Sequence, residues 1–125
     1  MSALRVCGDL DDSNIDAVRV FITGTRSPDE LLTAVAQPEE GEENVSLPTT
    51  IDIPRLVGPG LVSVEARAEG RLVARYTHRV PELADLEGAA FPLNESCRMF
   101  DCPFAETCVD GECVGVRPPS ETRCP

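Results

Sequence analysis

The chain has 125 residues, 22 acidic and 11 basic, for a net charge of −11. That length suits one domain, or one domain with a small appendage, and the charge repels phosphate backbones and anionic membranes, so no nucleic-acid partner is expected. Aromatic residues are only 4%, Trp is absent, and every basic residue is Arg. The core must therefore be lean, and no mechanism can rest on a lysine.

In chain order, residues 1–16 read as an acidic N-terminal leader, residues 17–94 as a β-sandwich domain, and residues 95–125 as a Cys-rich module. Within the leader, Asp9, Asp11, Asp12, Asn14 and Asp16 form a cluster of oxygen ligands and a candidate calcium site. No EF-hand frame fits it, because Gly at the sixth position and Glu at the twelfth are both missing. A solvated leader is the expectation, and no cofactor or metal is assigned.

The middle zone carries period-two patterning. Val18, Val20 and Ile22 alternate with Arg19, Phe21 and Thr23. A short strand is expected around Leu31–Ala36, although Ser27-Pro28-Asp29-Glu30 also suits the first turn of a helix. Gln37–Asn44 is an acidic loop. Val45 to Ile53 alternates again, and Pro48 within it marks an edge strand or a bulge. Leu61–Val80 is the clearest hairpin. A three-residue loop, Glu69-Gly70-Arg71, pairs Ala68 with Leu72, Ala66 with Ala74 and Val64 with Tyr76, and sets Glu65 opposite Arg75 on the outer face. A last strand falls at Ala89–Leu93. Short alternating strands with turn signals between them predict an all-β, small antiparallel sandwich with a disulfide-rich C-terminal appendage.

Cysteine supplies the reinforcement. Cys7, Cys97, Cys102, Cys108, Cys113 and Cys124 make an even count, and five lie in the last 29 residues. That density predicts disulfides and an oxidising, extracytoplasmic compartment. Zinc is the competing reading, disfavoured by spacings at the upper edge of the usual knuckle and by the lack of a nearby His. Asp110-Gly111 between Cys108 and Cys113 predicts a tight hairpin. Four cysteines allow three connectivities, so spacing alone does not pair them.

Cys7 has two readings. Leu4-Arg5-Val6-Cys7 resembles a bacterial lipobox, which implies a lipid anchor at Cys7, although Arg5 and Val6 stand where small residues are usual. Parity favours a disulfide from Cys7 to Cys124, closing a loop worth on the order of 4–5 kcal/mol. The longest uncharged run, Leu56 to Val64, is too short to span a bilayer. No apolar leader follows Met1, and the expectation is that an export signal has been removed.

The tail from Cys97 to Cys113 is similar to truncated EGF-like or knottin-like modules over about twenty residues. That resemblance implies pairing of Cys97 with Cys108 and of Cys102 with Cys113. Val18–Ile22, Val45–Ile53 and Leu61–Val80 together resemble Ig-like or transthyretin-like sandwiches of bacterial surface proteins, which implies a surface-exposed, non-enzymatic role. His78, the single histidine, falls on the core face of its strand, so a catalytic triad is not expected. Asn44-Val45-Ser46 and Asn94-Glu95-Ser96 are sequons without meaning in a bacterial context.

Three roles are compatible with this reading. The first is a secreted or cell-surface binding or accessory module, with a protein partner met by loops such as Thr25–Asp29 and Gln37–Asn44. The second is a self-associating filament subunit that uses a sandwich edge, the Pro48 strand or the stapled termini being candidate surfaces. The third is a knottin-like protease inhibitor presenting Pro103-Phe104-Ala105-Glu106-Thr107.

Overall fold

The computed structural model describes residues 1–10, 15–26, 29–119 and 122–124, with the Glu30 side chain left aside. It is an all-β sandwich. One sheet has three strands in the order β4-β1-β7 and the other has four in the order β3-β2-β5-β6; a separate β8-β9 hairpin lies in the Cys-rich tail. The strands are β1 Ser2–Cys7, β2 Ala17–Thr23, β3 Glu30–Ala36, β4 Thr49–Ile53, β5 Gly60–Ala68, β6 Arg71–Val80, β7 Ala90–Pro92, β8 Glu106–Val109 and β9 Glu112–Gly115.

Alternation explains the core. Leu4, Val6, Ile51, Ile53 and Phe91 from the smaller sheet meet Val18, Val20, Ile22, Val62, Val64, Ala66, Ala74 and Tyr76 from the larger one, all in a single buried cluster. Each polar neighbour along these strands points the other way, as a pleated backbone requires.

Several sequence expectations are corrected. Ser2–Cys7 is not part of a leader: it is the central strand of the smaller sheet, paired antiparallel with β4 and parallel with β7. The sandwich is therefore not wholly antiparallel. The short Leu4-Arg5-Val6 alternation was masked by the acidic residues that follow it. Glu30, Leu31 and Leu32 belong to β3 and not to a helical turn, while Ser27 and Pro28 of the expected turn lie outside the described residues. Pro48 lies just before β4, which begins at Thr49, while the Val45 N–H donates to Ile15 O at 2.8 Å.

The hairpin register is right at a distance and wrong at the turn. Val64 pairs with Tyr76, Glu65 with Arg75 and Ala66 with Ala74, but Arg67 pairs with Leu72 and Ala68 with Arg71. A bulge at Val73 absorbs the extra residue, so the loop has two residues, Glu69 and Gly70, at φ 53° and 78°. Two successive left-handed residues are the type I′ geometry, whose twist matches the strands. Asp110 and Gly111 repeat it at φ 52° and 83° between β8 and β9.

Three disulfides close the molecule: Cys7–Cys124, Cys97–Cys108 and Cys102–Cys113. With Cys7 bonded to Cys124, no thiol is left there for an acyl chain. No helix among the described residues is long and apolar enough to cross a membrane.

Candidate functional site

The Cys-rich tail is not a pendant module. It runs along β6, the last strand of the larger sheet, and satisfies its outer edge. The Met99 N–H donates to Val73 O at 2.7 Å, the Thr77 N–H to Thr107 Oγ1 at 2.9 Å, and the Arg79 N–H to Arg117 O at 3.0 Å. An open strand edge invites unwanted pairing, and here a later segment of the same chain covers it.

Over the outer face of the same sheet the tail buries polar residues that alternation alone would place in water. Glu65 is 1% exposed. Its carboxylate accepts from Arg67 Nη1 at 3.1 Å, from Arg75 Nε at 2.7 Å and also from Arg75 Nη2. Arg75 in turn reaches Asp101 of the tail at 2.7 Å. Ser63 and Thr77 share a buried hydroxyl–hydroxyl hydrogen bond at 2.7 Å. A buried carboxylate persists only with such partners, and here two guanidiniums supply them.

The tail packs against β6, and between it and the outward face of the larger sheet opens a groove of about 250 Å³. Its floor is the outward face of β2, β5 and β6, including Phe21, Leu61, Ser63 and Thr77; its wall is the loop Cys102–Glu106. Phe21 lies beneath two guanidiniums, with Arg19 5.2 Å and Arg75 5.7 Å from its ring centre. Such stacking holds a half-exposed aromatic in one orientation.

Phe104 on the groove wall is 45% exposed, and Met99 and Phe100 of the same stapled segment, outside the groove lining, are 64% and 38% exposed. Their loop is fixed rather than pliable, being held between the interlocked Cys97–Cys108 and Cys102–Cys113 bonds. Met99 and Ala105 both adopt left-handed backbone, at φ 65° and 66°. That conformation costs about 1 kcal/mol or more per non-glycine residue and tends to mark sites where shape serves binding.

The other sequence-derived candidates are distributed differently. Asp9 and Asp16 are committed to the fold: Asp9 Oδ1 accepts the Glu95 N–H and Asp16 Oδ2 the Glu69 N–H, both at 2.8 Å, on separate segments. Asp11, Asp12 and Asn14 lie outside the described residues, among which no cluster of three metal-ligating side chains occurs. His78 is fully buried, edge-on to Tyr76 and Phe91, with Nε2 2.6 Å from Ala90 O and Nδ1 3.2 Å from Arg117 O. It ties β6 to β7 and to the tail. Gln37–Asn44 is largely exposed around a turn from Glu39 to Glu42, and Thr25–Asp29 falls partly outside the described residues.

Phe21 escaped the sequence reading. Alternation placed it correctly on the outer face, but nothing local shows that a loop some eighty residues later would roof that face. The signal that was available is the expected loop from Pro103 to Thr107, of which Pro103, Phe104 and Ala105 are exposed while Glu106 and the buried Thr107 belong to β8.

No protein-family model, curated protein or solved structure matches the chain.

Proposed function

We propose that the chain is a non-enzymatic binding module acting outside the cytoplasm, in a secreted or cell-surface setting, and that it holds a protein or peptide partner at the groove between Phe21 and Phe104. The observation that carries this reading is the pairing of an exposed aromatic on the groove wall with a rigid backing. Phe104 stands exposed on a doubly stapled loop, so little ordering entropy remains to be lost on binding. Exposed aromatics beside a concave apolar floor are the usual composition of an interface centre. The three disulfides suit an oxidising compartment.

The protease-inhibitor reading uses the same loop. We favour a side-chain-in-groove mode over it, because left-handed Ala105 breaks the extended backbone that strand-type recognition needs.

Selection of peptides from a random display library on the purified protein tests the proposal. Enriched peptides should carry apolar anchors. Their affinity should fall by about 30-fold or more in Phe104→Ser, the scale of a buried aromatic anchor, with thermal unfolding unchanged. Peptides that bind Phe104→Ser and Phe21→Ser as well as the parent would remove the groove from consideration.

A further inference from the structure

The groove floor holds more hydrogen-bonding capacity than the chain itself uses. Phe21, Ser63 and Thr77 form one row across β2, β5 and β6, each directly opposite the next, and Phe104 stands on the wall. Ser63 and Thr77 are each 6% exposed. Their hydroxyl oxygens are 2.7 Å apart, so a single proton joins them. Each hydroxyl brings one proton and two lone pairs. One proton of the pair is therefore left over, and neither oxygen has a further partner among the described residues. Thr23, the other threonine of the lining, donates its own proton to Gly24 O at 3.0 Å. A buried hydroxyl proton without an acceptor is costly, so the base of the groove needs one from its occupant.

We infer that the groove selects a phenol: its anchor is a tyrosine side chain of the partner peptide, with the ring between Phe21 and Phe104 and the hydroxyl on the Ser63–Thr77 pair. The assignment rests on the groove being a peptide site. The lining disfavours the other anchors in turn. A lysine or arginine tip has only donors and leaves the spare proton without an acceptor. A carboxylate meets Glu106, which lines the groove and forms no ion pair among the described residues, in a chain of net charge −11. The one cation of the lining, Arg75, is already held by Glu65 and Asp101.

Neutral anchors remain. A wholly apolar side chain suits the two phenylalanines but strands the hydroxyl pair. An amide satisfies the pair but offers no ring to Phe21 and Phe104. A phenol does both: its oxygen accepts the spare proton, its own O–H donates to a free lone pair, and its ring keeps the apolar contact. At about 250 Å³ the groove is smaller than sites for drug-sized ligands, which suits a single side chain.

The test uses peptides from the random display library that bind the unaltered protein and are lost in Phe104→Ser, and so occupy the groove. Tyr should dominate their anchor position. Replacing that Tyr by Phe should weaken binding to the unaltered protein about tenfold or more. In Ser63→Ala/Thr77→Val, which removes both hydroxyls, the Tyr and Phe forms should bind equally; damage to the fold would weaken both and keep their ratio. Groove-bound peptides anchored by Leu or Phe overturn the inference and leave the peptide site standing. So does a Tyr-to-Phe change that costs less than about threefold, or a Tyr preference that survives in the double variant. A library that yields no peptide sensitive to Phe104→Ser removes the peptide site and the phenol together.

Discussion

Gly8 shows how a single residue can be obligatory. It sits at φ +120°, and a Cβ built there would lie 2.2 Å from Leu93 O and 2.6 Å from Leu93 C. The approach is that close because the Leu93 N–H donates to Cys7 O and the Leu10 N–H donates to Leu93 O across the same turn. Backbone on both sides cannot give way. Gly8→Ala is expected to destabilise by about 3 kcal/mol or more, through strain and clash together, read as a shifted denaturant midpoint. Glu82 makes a different kind of local contribution. Its carboxylate accepts N–H groups from Ala84 at 3.1 Å and Gly58 at 2.8 Å, which hold its pKa below the usual carboxylate value. A pKa depressed in the folded state gives stability that is present above the unfolded value and lost as pH falls through the folded one. Glu82→Gln should therefore be less stable than the parent at pH 7, and denaturation at graded pH should show the gap closing below about pH 4. A gap that widened in acid would contradict this assignment.

At the scale of elements, the sequence made legible what depends on neighbours along one strand or across one hairpin. Val18–Ile22, Leu61–Val80 and the Asp110-Gly111 turn announce themselves through alternation and turn residues, and the Glu65–Arg75 pairing follows from register. The bulge at Val73 was not legible. A three-residue loop and a two-residue loop with a bulge give the same pairing beyond Ala66, so hydrophobic pattern cannot distinguish them. The type I′ turn implies a stabilising change. Glu69 occupies a left-handed position that Asn tolerates better, and its side chain is exposed. Glu69→Asn should raise stability by about 0.5 kcal/mol, seen as a higher melting temperature with unchanged far-UV dichroism. The candidate site was half legible. The stapled loop is visible in cysteine spacing, but Phe21 becomes a floor residue only because the tail folds back against β6, a long-range event with no local signature.

The whole molecule is a lean sandwich to which the tail adds edge protection, a buried Glu65 network and a groove wall. Phe91 is the largest of its fully buried side chains, and the tail is bound to the body by backbone hydrogen bonds and by Cys7–Cys124, which spans 117 residues of sequence. Replacing both cysteines of that bond with Ala should cost about 4–5 kcal/mol by the loop-entropy argument, measured by urea unfolding of the double variant. The tail's outer bonds, each spanning 11 residues, set the loop that carries Phe100 and Phe104. Their reduction should abolish peptide binding before it unfolds the sandwich. The account as a whole depends on six oxidised sulfurs joined in one pattern. Mass-spectrometric mapping of peptides from unreduced native protein tests it most directly: we expect Cys7 linked to Cys124, Cys97 to Cys108 and Cys102 to Cys113, with no free thiol, whereas free thiols or any other pairing would contradict it.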